Sequence, residues 1–233
     1  MVDQAILDDA ALEEMYARIS AEGGIEVKTL LETLDALFER DLAPETQRSY
    51  AERVGRYKKL ADEVVPIGDF LRATGRVGGR IRFPLDSAPY DAWHESAETG
   101  EVTGIEATLS LARGRVFLAK YRQGKKVSPG FLGVPDGSKK DAFAKATARP
   151  RTLHTRAGVE KVVVEGVCAC LENKNKDCYD GGILLISAEL MAMPGADWDA
   201  ILENVRPQAT ALPFDEAHVI DDRFAKPIVV RLK

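Results

Sequence analysis

The sequence predicts an α/β (α+β) protein: a mixed central sheet flanked by helices, with an N-terminal helical hairpin in front of it. Two observations carry this expectation. Apolar residues recur at helical spacing up to Leu71, then give way to the two-residue alternation of strands from Arg80 onward. Later, the unbroken apolar run Ile183-Leu184-Leu185-Ile186 reads as a strand buried on both faces, with helical stretches on either side of it.

Taken in order, Ile6, Ala10, Met15 and Ile19 define a first helix that stops at Gly23-Gly24. Leu30, Leu34, Leu37 and Phe38 repeat the pattern before Pro44, and Leu42-Ala43-Pro44 reads as a joint. Residues 1–43 are therefore expected as a hairpin unit and 44–233 as the main domain. A third helix opens after Pro44 with Tyr50, Val54, Tyr57 and Leu60 or Ala61 on its buried side. A short helix follows Pro66 and ends at Thr74-Gly75. Arg80 to Phe83, Pro89 to Glu95 and Gly104 to Leu109 then read as three strands with short connections, an antiparallel meander. The segment 124–150 is a long loop rich in Gly, Pro, Ser and Lys. Ala157 to Asn173 is helical, Gly182 to Ser187 is the buried strand, and Trp198 to Val205 is a helix. Glu216 to Ile220 and Pro227 to Leu232 are the last strands.

Composition narrows the function classes. With 45% hydrophobic and 30% charged residues the chain can bury a core, which excludes a disordered protein. No apolar run approaches the roughly 20 residues of a bilayer-spanning helix, and the acidic start differs from a secretion signal. Three cysteines cannot all pair within one chain, so reduced thiols and a cytoplasmic location are expected. Cys168 and Cys170 lie two apart on a helix and point about 200° from each other, which does not suit zinc. His94, His154 and His218 are scattered, and the sequence contains no nucleophile elbow, Walker A loop or dinucleotide fingerprint.

The net charge of -5 conceals two opposed regions. Residues 1–47 hold twelve acids and three bases, a local -9; residues 111–156 hold twelve bases and two acids, a local +10. A basic field of that size attracts a polyanion. The alternative is a charged, solvated loop. Arg113, Arg115, Arg122, Lys125 and Lys126 are the candidate phosphate-holding residues, directly after the third strand.

Within that third strand, Glu106 lies among Ile105, Ala107 and Leu109. A carboxylate in such a setting must be paired, hydrogen-bonded or metal-bound. Asp91 precedes it by an interval that fits two strands and a turn, so a hairpin can bring the two acids to one end of the sheet. Two oxygen ligands of this kind suit Mg²⁺ or Mn²⁺, which also accept phosphate oxygens. The opposing reading places Glu106 on a solvated edge and Asp91 at the start of a turn. Tyr90 and Trp93 flank Asp91 and could stack on a base or pack in the core.

Pro89-Tyr90-Asp91, followed by Ile105-Glu106-Ala107-Thr108, resembles the signature of the PD-(D/E)xK, or restriction-endonuclease-like, nucleases. The downstream order of helix, buried strand, helix and strand is similar, and the resemblance spans roughly Arg80 to Leu232. It implies a nuclease-like domain over 44–233, with Asp91 and Glu106 as metal ligands. The position that holds Lys in that family is Thr108 here. A hydroxyl orders water but supplies no positive charge, so Lys120 or Lys161 would have to substitute. An additional acid from the helix before the sheet would be Glu52 or Glu63.

Together these readings lead to the expectation of metal-dependent hydrolysis of nucleic acid, DNA foremost, in a nuclease or a nuclease-fold defence or repair component. Asp91, Glu106, Thr108 and Lys120 would be catalytic, and no membrane partner is expected. The alternatives are a degenerate nuclease-fold module that binds nucleic acid or protein, and a homodimer built through the acidic N-terminal helices.

Overall fold

In a computed structural model of the chain, the described residues are 9–38, 43–85, 88–111, 131, 141–142, 145, 155–221 and 227–233. They build one seven-stranded mixed sheet whose strand order follows the chain. The strands are β1 (Ile25–Glu26), β2 (Arg80–Arg82), β3 (Ala92–Glu95), β4 (Val102–Leu109), β5 (Ile183–Ser187), β6 (Glu216–Asp221) and β7 (Ile228–Arg231). Neighbours from β1 to β4 run antiparallel, β4, β5 and β6 run parallel, and β7 returns antiparallel. The expected mixed sheet with helices is therefore present, and the three-strand meander is its β2–β4 portion.

Parallel neighbours need crossover connections, and helices supply them. α6 (Arg156–Lys174) lies between β4 and β5 in the chain; α7 (Trp198–Ile201) and α8 (Arg206–Thr210) lie between β5 and β6. Val159, Val163, Val167 and Leu171 of α6 pack with Trp198, Leu184, Ile186, Val219 and Phe214 on one face of the sheet. The other face is covered by α1 (Asp9–Ser20), α2 (Val27–Phe38), α4 (Tyr57–Lys59) and α5 (Val65–Ala73), with α3 (Pro44–Glu52) packed on α4. There Leu12, Ile19, Leu30, Leu60, Ile67 and Phe70 meet Ile81, Ile105, Ile183 and Leu185 in a second core. Residues of β5 alternate between the two cores, which explains the continuous apolar run read from the sequence. Each fully buried aliphatic side chain contributes about 1.5–3 kcal/mol, so β5 is an energetic centre of the sheet.

Several boundaries differ from the sequence reading. The third helix does not continue through Val54. Arg53 takes a left-handed conformation (φ 52°) and closes α3 with its N–H bonded to Tyr50 O, and Val54 is 52% exposed rather than buried. The Arg53 guanidinium is held by Asp62, a tether that stabilises the break. Pro66 does not start a separate helix. A π-helical turn, Leu60–Val64, joins α4 to α5, and Pro66 falls in the first turn of α5, where its missing N–H costs little. The segment Pro89–Asp91 precedes β3 instead of belonging to it, and the two-residue β1 was not anticipated. The helix expected to run to Val205 ends at Ile201. A 3₁₀ turn follows at Glu203–Val205, and Pro207 then restarts the chain as α8.

α6 begins at Thr155, whose hydroxyl accepts from Gly158 N at 3.1 Å. It passes close beneath the end of β4: a Cβ on Gly166 would lie 3.1 Å from Ser110. This approach delivers the last residue of α6, Lys174, to the middle of β4. No helix among the described residues is long and apolar enough to cross a membrane.

Candidate active site between strands β3 and β4

The register that pairs Ala92 with Ile105 places Asp91 one step before the start of β3, facing Glu106 across the strands. Asp91 Oδ2 accepts a hydrogen bond from Ala107 N at 2.9 Å, capping a backbone group that the end of β3 leaves without a strand partner. The ring of Tyr90, the preceding residue, lies against Gly104 and Gly182. A Cβ on Gly104 would sit 2.5 Å from that ring. One on Gly182 (φ 76°) would sit 2.7 Å from Gly104 O and 3.0 Å from the ring. Tyr90 also donates its hydroxyl to Gly181 O at 2.8 Å, so Asp91 grows from an anchored residue.

Glu106 alternates with Ile105, which faces the second core, and so its side chain turns toward α6. It is 6% exposed. Lys174 Nζ donates to Glu106 Oε1 in a short ion pair. The hydroxyl of Tyr179 lies 3.5 Å from Lys174 Nζ, which donates to it. From the opposite layer, the π-helical turn presents Glu63, which accepts from Lys59 Nζ at 3.2 Å. Three acids and two lysines thus share the region.

Their titration reflects this crowding. Burial, and then the charge of Asp91, push Glu63 up to about 6. Asp91 is raised by burial, against the Ala107 N–H and the charges of Lys174, Lys59 and Lys58. Glu106 is raised by burial and by Asp91, against the Lys174 hydrogen bond. For Lys174, burial acts to lower the ammonium, but the hydrogen bond and charge of Glu106 outweigh it and hold the group above its ordinary value. Mutual repulsion among acids that each face a cation marks a place where charge is concentrated at a cost in stability, a common property of functional sites.

The other sequence-derived candidates fall as follows. Thr108 lies two positions beyond Glu106 on the same face of β4, half-buried, opposite Ile186. Lys161 is exposed and pairs with Glu165 at 3.7 Å, one α-helical turn along α6 and away from the acids. Glu52 accepts from Arg48 at 3.3 Å on α3, whereas Glu63 is the helix acid that interacts with Asp91. Lys120 and the candidate phosphate-holding residues Arg113, Arg115, Arg122, Lys125 and Lys126 lie outside the described residues. Lys174, Lys59 and Tyr179 were not anticipated. Asn173-Lys174-Asn175-Lys176 reads locally as a solvated helix end, and only the path of α6 reveals its role.

His94 and His218 do not join the site, and His154 lies outside the described residues. His94 Nε2 bonds Gly78 O at 3.1 Å, and His218 Nε2 bonds Glu216 at 2.8 Å beneath the Phe70 ring. Tyr90 is enclosed by Trp93, Tyr179 and Phe214, an edge-packed aromatic cluster. Cys168, Cys170 and Cys178 are not joined by disulfides. Among the described residues no group of three His, Cys, Asp or Glu side chains is arranged to hold a metal ion. No protein-family profile matches the chain, and no curated protein or solved structure matches it significantly.

Proposed function

We propose that the protein hydrolyses phosphodiester bonds in nucleic acid, DNA foremost, with Mg²⁺ or Mn²⁺, on a restriction-endonuclease-like architecture. One observation carries the reading: Lys174 reaches Glu106 from α6, beside Asp91, and supplies the cation that Thr108 cannot. The +10 stretch of residues 111–156, which follows β4 directly in sequence, supports a polyanionic substrate.

The donor set suits a small hard cation. Mg²⁺ is commonly held by one or two carboxylates together with waters and phosphate oxygens, which a pair such as Asp91 and Glu106 satisfies without a third acid. A bound ion of this kind polarises a phosphoryl oxygen and lowers the pKa of water. The remaining work belongs to the chain. The Ala107 N–H fixes one oxygen of Asp91 and leaves the other available. The Lys174 ammonium, kept charged by Glu106, can donate to a phosphate oxygen or orient the attacking water. Glu63, titrating at about 6, is suited to exchange a proton near neutral pH.

The test is supercoiled plasmid incubated with Mg²⁺ or Mn²⁺ and the wild-type protein, beside Asp91→Ala, Glu106→Ala and Lys174→Met. Each variant is expected to lose about 10²-fold or more in rate. Cleavage by the wild type no greater than by an Asp91→Ala, Glu106→Ala double variant would remove the hydrolytic reading. Salt-sensitive DNA affinity surviving in that variant would then identify a binding module.

A further inference from the structure

We infer that Tyr179 is a positioning residue whose hydroxyl, 3.5 Å from the Lys174 Nζ, keeps that ammonium at the site when Glu106 gives its charge to another cation. This rests on the reading of the site as a phosphodiesterase centre.

The geometry is that of a three-membered polar group. A phenol donates one proton and accepts others. The Tyr179 hydroxyl accepts from the Lys174 ammonium, 3.5 Å away, and keeps its own proton to donate to an acceptor beside it. The ammonium also lies 5.9 Å from the centre of the Tyr179 ring, at the outer reach of a cation–π contact. The lysine thus has two partners on one residue, besides its carboxylate.

The phenol is a rigid support. Tyr179 is 7% exposed, with its ring 4.7 Å from Phe214 and 5.7 Å from Tyr90 between centroids. Its backbone is tied to that of the lysine by a compact turn. Lys176 N donates to Lys174 O at 3.0 Å, and Tyr179 N donates to Lys176 O at 3.2 Å. Phenylalanine would fill the same aromatic cluster, so the buried hydroxyl is explained by its polar partners and not by packing.

The need for such support follows from charge. Lys174 ends a four-carbon flexible stem, and Glu106 is the carboxylate that holds it. A divalent ion on Glu106 would repel the ammonium, and an untethered lysine would turn to solvent. The neutral oxygen and ring face of Tyr179 remain as partners in that state.

Tyr179→Phe keeps the ring and removes the hydroxyl, and it is compared with Lys174→Met and with the double variant. In plasmid cleavage with Mn²⁺, Tyr179→Phe is expected to lower kcat about tenfold with KM unchanged, and to add no loss to Lys174→Met. In urea unfolding without metal, the double variant is expected to differ from the product of the single effects by at least about twofold in the unfolding constant. If Tyr179→Phe turns over at the wild-type rate or loses only through KM, or if the stability effects simply multiply, the positioning role is overturned and the nuclease reading stands. A wild-type protein that cleaves nothing with Mg²⁺ or Mn²⁺ removes both, whatever the unfolding cycle gives.

Discussion

Replacing Glu63 with Gln should make the protein more stable at neutral pH, although it removes a candidate functional group. The Glu63 carboxyl is raised from 4.5 to about 6 by burial and by Asp91, so its charged form is penalised in the folded state. A displacement of that size corresponds to about 2 kcal/mol. The sign follows from linkage. An acid with a raised folded pKa favours folding below its unfolded value, and this advantage is lost as pH climbs from about 4.5 through about 6. The uncharged Gln does not suffer the loss. The contact with Lys59 that the variant gives up is already counted in that figure, because it lowers the same carboxyl. The gain of about 2 kcal/mol should raise Tm by about 4–8 °C for a chain of this size. Thermal melts of both proteins at pH 4.5, 6 and 7.5, followed by circular dichroism, check it. The curves should converge at the acid end and separate toward pH 7.5. Parallel curves, or a Gln variant less stable at pH 7.5, would refute the assignment of a penalised charge to Glu63.

Lys174→Met leaves Glu106 buried beside Asp91 without its cation, and should cost about 3–5 kcal/mol in urea unfolding at pH 7.5. Much of that cost should disappear when Glu106→Gln is added. Gly104→Ala forces the Tyr90 ring to move, since the new Cβ would lie 2.5 Å from it. A loss of about 1–3 kcal/mol is expected, with weaker Mn²⁺ binding in calorimetry because Asp91 follows Tyr90. At the far end of the sheet, burial acts to raise Glu216, but its hydrogen bonds with Arg76 (2.7 and 2.8 Å) and His218 win and hold it below 4.5. That stability is present above pH 4.5 and lost as pH falls through the lower folded value. Arg76→Ala should cost about 1 kcal/mol at pH 7 and flatten the acid limb of a pH–Tm curve.

The pairing of Asp91 with Glu106 could be read from sequence because strand alternation and a short interval together constrain a hairpin and its register. The buried β5 was legible for a similar reason, its apolar run being long and uninterrupted. Lys174 was not, because its approach to Glu106 depends on how a 19-residue helix lies across the sheet, which no local pattern encodes. The break at Arg53 was hidden too: a non-glycine residue adopts the left-handed conformation there, held by Asp62, nine positions away. β1 is two residues long and too short to show any period.

Because spatial order in the sheet repeats chain order, each strand can join an edge already formed as the polypeptide leaves the ribosome. Glu63, Asp91 and Glu106 emerge well before Lys174, which lies 68 positions after Glu106. At roughly 5–20 residues per second, Glu106 would wait about 3–14 s for its lysine, and the two earlier acids longer. During synthesis, then, a nascent chain would carry its acids on an assembled β1–β4 platform, without the group proposed to complete the catalyst.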